Sequence, residues 1–367
     1  MNILYLTTHL NIGGISSYLF TLAKGLKEKG HHVYTASSGG ELVQKFTLAG
    51  IAHLEIPIKT KSEVDIPKLL PSFIKLKTYI RENNIDIIHA NTRVTQVLAY
   101  FLSRTTGKPY LVTCHGFFKK RFSRRVFPCW GKMIIAISGP VREHLISDFK
   151  VSPERIRVVH NGIDINRFKA KDLKIKDEIK KKIGLSDGPV VGIIARLSDV
   201  KGHIYLIEAM SLAIKKVPGV QLLIAGEGRM KGDLVKQAAR LKIKDNVFFI
   251  PNVYDTAEFL SVMDLFVLPS LKEGLGLSLM EAMAAGLGVI GSDVGGIKSL
   301  IRDHVNGLLV KPADINGLSE AIIELLSDAG ERKKFGESAR EFIAGNFSQE
   351  KTALETEGVY AECLSAK

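Results

Sequence analysis

The segment Glu273-Gly-Leu-Gly-Leu-Ser-Leu-Met-Glu281 sets two carboxylates with seven residues between them. The first falls in a glycine-rich loop, the second two turns later, inside the helix that follows. A carboxylate can accept hydrogen bonds from both hydroxyls of a ribose. Gly274 and Gly276 would leave the N-terminus of that helix open to phosphate, where free N–H groups and the helix dipole favour negative charge. Glu281 sits among Ala, Met and Leu, where an unpaired carboxylate would be costly; the alternative is a solvated pair. Arg196 and Lys201 follow an apolar run in Ile194-Ala-Arg-Leu-Ser-Asp-Val-Lys-Gly-His203. A guanidinium fork and a movable ammonium on one loop suit a diphosphate, or else are two solvated cations. His115, in Val-Thr-Cys-His-Gly, and His89, in Ile-Ile-His-Ala-Asn, each end an apolar run. Both occupy the place where α/β proteins carry their sites, although a single histidine is as readily structural. Gly13-Gly14 lies between a strand pattern and a helix pattern, as a phosphate turn or an ordinary tight turn.

These residues need elements to hold them. Strands are expected at Asn2–Thr7, His32–Ala36, Ile85–Ala90, Tyr110–Cys114, Met133–Ile137 and Ile156–His160, with helices between them at Ser16–Lys29, Lys68–Arg81 and Gln96–Ser103. Across Asn166–Gly188 the apolar periodicity fades into Lys and acids. The alternation then restarts, with strands at Val190–Ala195, Gln221–Ala225, Val247–Ile250, Leu265–Leu268, Gly288–Gly291 and Gly307–Val310. Helices are expected at His203–Lys215, Lys231–Leu241, Leu277–Ala285, Ile315–Leu326 and Glu331–Ala344. Runs that are apolar on both faces, each followed by a helix, indicate parallel sheets covered on both sides. The expectation is α/β: two tandem doubly wound, Rossmann-like domains. Residues 1–168 form the first, 169–188 a linker and 189–346 the second. Ligands are expected at the carboxyl ends of the strands, in a cleft shared by the domains.

The charge is lopsided. The chain of 367 residues carries +13 overall, and residues 1–165 hold 23 basic against 11 acidic side chains, while the remainder holds 28 against 27. Ten basic residues and no acidic one lie between Ile87 and Arg142. That asymmetry points the first half at something anionic. Composition excludes a disordered or fibrous chain, and Cys114, Cys129 and Cys363 form neither a disulfide framework nor a metal spacing, which fits a reducing cytosol. No stretch is long and apolar enough to span a bilayer, so membrane contact is expected to be peripheral. No Asp-x-Asp, nucleophile elbow, Walker loop, zinc spacing or RNA-binding motif is present, so neither a bound metal cofactor nor nucleic acid is expected.

Taken together, the chain resembles the family-four retaining glycosyltransferases of the GT-B fold. The resemblance rests on Gly13-Gly14, His115, His160-Asn-Gly-Ile-Asp164, Arg196 with Lys201-Gly202, Ala225-Gly-Glu-Gly228 and above all Glu273-x7-Glu281. It implies that a nucleotide sugar, taken to be a UDP-sugar, is the donor. Gly14, Arg196 and Lys201 would bind its diphosphate, with N–H groups near Gly276, Leu277 and Ser278. Glu281 would hold the ribose, and Glu273 and His115 would contact the transferred sugar. The Gly226–Gly228 turn, with Glu227, and the segment around Val253 would flank the base. A last helix over 347–367 would return to the N-terminal, acceptor-binding domain. The resemblance also implies retention of anomeric configuration by front-face attack, the leaving phosphate taking the acceptor's proton. Gly288 departs from the family's usual Pro. A nucleotide-sugar epimerase and a non-catalytic sugar-binding protein share the architecture and stand as alternatives.

One segment concerns the acceptor. Phe117-Phe-Lys-Lys-Arg-Phe-Ser-Arg-Arg-Val-Phe-Pro-Cys-Trp130 interleaves Lys119, Lys120, Arg121, Arg124 and Arg125 with five aromatics, Trp130 the last. Rings that enter a headgroup layer beside cations that meet anionic lipid have this composition; buried rings with solvated cations are the other reading. On the first reading the protein works at the inner face of the cytoplasmic membrane on a lipid-linked or phosphorylated glycan.

Overall fold

The computed structural model describes residues 1–58, 66–120, 124, 126–168, 173–251 and 255–365. The chain divides into two compact units, Met1–Gly162 with Gln349–Lys367, and Ile163–Ser348.

The first unit is built on a seven-stranded sheet of β1 (Asn2–Leu6), β2 (His32–Ser37), β3 (Ala52–Glu55), β4 (Ile87–Ala90), β5 (Tyr110–Cys114), β6 (Met133–Ala136) and β7 (Ile156–Val158). Its order is β3-β2-β1-β4-β5-β6-β7, and every pairing is parallel. β4, β5 and β6 are buried along their whole length, which is why their sequences are apolar without alternation. The helix Gln349–Ser365 belongs to this unit. Its Ala353, Val359, Tyr360 and Cys363 join one core with Ile3 and Tyr5 of β1 and with Tyr18, Leu22 and Leu26 of the helix Gly14–Glu28.

The second unit carries a six-stranded sheet of β8 (Val190–Ile194), β9 (Gln221–Ala225), β10 (Val247–Ile250), β11 (Leu265–Leu268), β12 (Gly288–Ser292) and β13 (Leu308–Val310). The order is β10-β9-β8-β11-β12-β13, again parallel throughout. In both sheets the strand order reverses beside the first strand, between β1 and β4 and between β8 and β11. Such a reversal parts the loops above the strands and opens a crevice at their carboxyl ends.

The expected domain limits need correction. The chain leaves the first unit at Gly162, and the stretch expected to be a linker contains the helix Leu173–Ile183 of the second unit. The reason lies in the backbone: Ile163 N donates to Phe347 O at 2.8 Å and Ile163 pairs with Ser348, so both crossing points are laced together on the same side. Three elements had no signal in the sequence pattern. β3 is mostly exposed, and Val43–Leu48 and Thr256–Leu260 are helices too short to show a period. The helix Gly139–Phe149, capped by Ser138 on Val141 N, was also missed.

Candidate active site

In the second unit the loops that follow β8, β9 and β11 are packed backbone on backbone. Gly226 has φ 146°, and a Cβ there would lie 2.2 Å from Ala195 O. Glycine is therefore required, and it lets Leu197 N donate to Glu227 O at 2.9 Å. The turn Gly226-Glu227-Gly228 thus runs beside Arg196. Gly202, with φ 74°, would place a Cβ 1.9 Å from Pro269 O, and Leu271 N donates to Val200 O at 2.9 Å. Those two contacts tie the Lys201 loop to the end of β11.

Their consequence is that two of the residues singled out by spacing meet. Lys201 Nζ donates to Glu273 Oε2, both side chains being largely buried. Glu273 is held further by Ser270 Oγ at 3.4 Å and by Gly274 N at 3.2 Å. Gly276, at φ 101°, opens the helix Leu277–Ala284, which has no side-chain cap and no acidic residue in its first turn. Its leading N–H groups, over Leu277 and Ser278, are those a phosphate would take. Glu281 is half-buried on a helix whose Leu279, Met280, Ala282, Met283 and Ala284 are buried, so it marks the open face. Arg196 is exposed and has no partner among the described residues. Val253 lies outside the described residues. The arrangement offers positive charge and N–H donors for a phosphate, and carboxylates that can accept from hydroxyls.

Sequence reasoning passed over Gly295-Gly296. A Cβ on Gly295 would lie 2.1 Å from Glu273 O, and one on Gly296 would lie 2.2 Å from Gly274 O, while Gly296 N donates to Glu273 O at 3.1 Å. The pair forms the floor under Glu273. A double glycine after β12 was the available signal, but nothing local tells which backbone it approaches.

In the first unit, Gly13 precedes the helix Gly14–Glu28 in an extended conformation, and a Cβ on it would meet nothing within 4 Å. The fold itself makes no use of glycine at 13. Gly14 is likewise exposed at the start of that helix. His115 follows β5. Its Nε2 is 3.1 Å from Asn91 Oδ1, and Tyr18 stands edge-on to its ring at 4.8 Å between centroids. Burial lowers its pKa to about 3, so the ring is neutral.

His89, the second strand-end histidine, does not share that situation. It is buried within β4, its Nδ1 2.8 Å from Tyr360 Oη and its Nε2 2.7 Å from Thr113 Oγ1. Tyr360 donates onward to Tyr5 at 3.2 Å, and Tyr18 Oη lies 3.3 Å from Thr113 Oγ1. Burial lowers His89 to about 3 and raises all three tyrosines. This is a satisfied internal network that fastens the last helix to the sheet. The alternation pattern shows neither Tyr360 nor Thr113 as its partners.

The basic aromatic segment is corrected in part. Arg124 is only 5% exposed, and its guanidinium lies 3.9 Å from the centre of the Phe118 ring. Trp130 packs edge-on against Phe149 at 5.9 Å, and Phe118 N donates to His144 Nε2 at 2.9 Å. These rings cover the helix Gly139–Phe149 and stack on the cation, so Arg124 faces the protein and not a lipid surface, while Trp130 stays half-buried beside it. Lys119 and Lys120 are exposed, Lys120 pairing with Asp148 at 3.0 Å. Arg121 and Arg125 lie outside the described residues. Among the described residues, no helix is long and apolar enough to cross a membrane, and no three His, Cys, Asp or Glu side chains are grouped to hold a metal.

Comparison with known proteins places this geometry. The chain is 28% identical over 371 residues to N-acetyl-alpha-D-glucosaminyl L-malate synthase of Bacillus anthracis, covering 98% of this chain and 96% of that one. It is 28% identical over 281 residues to the UDP-Gal:alpha-D-GlcNAc-diphosphoundecaprenol alpha-1,3-galactosyltransferase of Escherichia coli, 72% of each chain. In fold it matches the crystal structure of Anabaena Alr3699/HepE in complex with UDP-glucose, with a TM-score of 0.87 at 22% identity over 99% of this chain and 100% of that one. The parallel sheets and their order are those of the GT-B fold. Residues 12–167 match the family model for Glycosyltransferase Family 4 and residues 175–342 that for Glycosyl transferases group 1, and the chain belongs to the glycosyltransferases of family-four type.

Proposed function

We propose that this glycosyltransferase takes a UDP-hexose as donor, retains its anomeric configuration and needs no metal. The observation that carries the reading is the Lys201–Glu273 pair beside the uncapped N-terminus of Leu277–Ala284, with Arg196, which has no partner among the described residues, on the same loop as Lys201. Arg196, Lys201 and the N–H groups at Leu277 and Ser278 neutralise the leaving diphosphate, aided by Gly14. Glu281 accepts the ribose hydroxyls. Glu273 and His115 contact the transferred sugar, and Glu227 with Gly226 borders the base. The acceptor hydroxyl attacks the anomeric carbon on the face from which the diphosphate departs, the anomeric C–O bond breaks, and a phosphate oxygen takes the hydroxyl proton. Charge stabilisation at that phosphate is the main source of rate. The E. coli relative named for a UDP-Gal donor and the UDP-glucose bound to Anabaena Alr3699/HepE support a uridine nucleotide.

The acceptor is a lipid-linked or phosphorylated glycan handled at the cytoplasmic face of the membrane, as in cell-surface polysaccharide or lipopolysaccharide assembly. The charge of the first half supports it, as do relatives named for a diphosphoundecaprenol-linked acceptor and for capsular polysaccharide biosynthesis. With Arg124 turned inward, Lys119, Lys120, Arg121 and Arg125 carry the attraction.

A donor panel tests the first part. Transfer or slow hydrolysis of UDP-hexoses, unaffected by a chelator and with the product anomer unchanged, is expected. Epimer formation without acceptor would replace the transferase reading, and binding without turnover would make the protein a sugar binder. Sedimentation with anionic vesicles tests the second part. Salt-sensitive binding should be lost when Lys119, Lys120, Arg121 and Arg125 become Ser, and no binding at low salt would point to a soluble acceptor.

A further inference from the structure

Asn91 directly follows β4 and is 3% exposed. Its backbone N–H donates to Leu6 O at 2.9 Å, and its side-chain Nδ2 donates to His89 O at 3.1 Å. A carbonyl oxygen can only accept, so the amide's amino group must face His89 and its oxygen must face His115. The atom of His115 that meets that oxygen, at 3.1 Å, is Nε2. An amide oxygen can only accept as well, so Nε2 must carry the proton. His115 is neutral, and a neutral imidazole has one N–H and one lone pair. The lone pair therefore lies on Nδ1, which has no partner among the described residues, on a ring that is half-buried. Tyr18, fully buried and bonded to Thr113, sets the plane of the ring from the side.

We infer that Asn91 is a positioning residue: it locks His115 as the Nε2–H tautomer, so that Nδ1 is presented as a hydrogen-bond acceptor to a hydroxyl of the transferred sugar. The inference rests on the proposed contact between His115 and that sugar. It narrows the contact to a proton donor, a hydroxyl or an N–H, and rules out a carbonyl or carboxylate substituent at that point, because neither has a proton to give. A site whose buried polar group is matched to a hydroxyl discriminates strongly against an analogue that lacks it.

The tautomer can be read directly by nitrogen-15 NMR of the full chain labelled at histidine, with the His115 signals assigned from a His115→Gln variant. Wild type should show a protonated Nε2 and an unprotonated Nδ1. A protonated Nδ1 overturns the inference, whatever the activity. Asn91→Leu keeps the volume but removes the acceptor; it should yield a mixed tautomer and lower kcat roughly tenfold, the worth of one hydrogen bond, with KM for the donor little changed. Asn91→Asp keeps an accepting oxygen toward His115, so it should keep Nε2 protonated, at a cost in stability because its other oxygen has no proton to give His89 O. If Asn91→Leu leaves the His115 signals as in wild type, Asn91 does not set the tautomer. If the tautomer shifts while transfer continues at the wild-type rate, Asn91 holds the ring as inferred and it is the sugar contact of His115 that fails.

Discussion

Above β8, β9, β11 and β12 the second unit joins loop to loop through main-chain atoms, with Gly202, Gly226 and Gly296 among the points of close approach. Above β4 and β5 the first unit joins its strand ends through side chains, Asn91 to His115 and Thr113 to His89 and Tyr18. The difference has consequences for both chemistry and tolerance. A loop held by backbone contact offers a dense set of N–H groups and keeps cationic and acidic side chains clear for a ligand. It accepts no Cβ. A strand end held by side chains controls the tautomer and plane of one ring, and it accepts any replacement that keeps the same donors and acceptors.

The largest effects are expected where a group meets the leaving diphosphate or the ribose. Arg196→Ala and Glu281→Gln should fold normally, with unchanged circular dichroism and melting, yet lose about 100-fold or more in turnover. Near-normal rates in either would remove the second unit's loops from the chemistry. Next, Gly226→Ala and Gly202→Ala should each cost about 1–3 kcal/mol in chemical denaturation, because the new methyl meets a carbonyl oxygen and the backbone sits at positive φ. Gly13→Ala, which meets nothing, should leave stability unchanged and weaken donor binding. An equal cost at all three positions would break the contrast.

Acid should separate the units. Burial lowers the pKa of His53, His89, His115 and His160 in the first unit and of His203 in the second. A histidine depressed in the folded state takes up its proton on unfolding. Its stabilisation is complete above the unfolded value of about 6.5 and declines as pH falls below it, by at most about 1.4 kcal/mol per pH unit for each group. Between pH 6.5 and 5, hydrogen-exchange protection, corrected for the intrinsic rate at each pH, should therefore fall more across β1, β4 and β5 than across β8, β9 and β11. An equal fall would sink the assignment. Tyr360→Phe leaves the His89 Nδ1–H without an acceptor and should cost about 1–3 kcal/mol, while Tyr5→Phe, at the end of the chain of hydroxyls, should cost less. Lys120→Ser should have the smallest effect of all on stability, since its pair with Asp148 is exposed and screened.

The chain alone determined most of the architecture. Uninterrupted apolar runs such as Ile134-Ile-Ala and Leu222-Leu-Ile announce buried parallel strands, because only a sheet covered on both faces can use them. The types and spacing of Arg196 and Lys201 on one loop, of Glu273 on a glycine-rich loop and of Glu281 on the helix after it are likewise local facts, which is why they stand out as candidates in the sequence. Apart from Gly139–Phe149, the elements that went unseen are short or exposed, as β3 and Val43–Leu48 are, and carry no period.

Only the tertiary structure could decide what those residues touch. Gly295-Gly296 lies after β12 and supports Glu273 after β11, a contact made by strand order. His89 and His115 look alike in sequence, each closing an apolar run. One is enclosed by Thr113 and by Tyr360, which lies 271 residues further along the chain, and the other stays partly open beside Asn91. The same holds for Arg124, whose neighbours in sequence suggested a lipid surface and whose neighbours in space are Phe118, Trp130 and Phe149. Patterning records which residues prefer burial. It does not record which partner satisfies them, because hydrogen bonds and ring contacts are closed by groups that the fold brings from far along the chain.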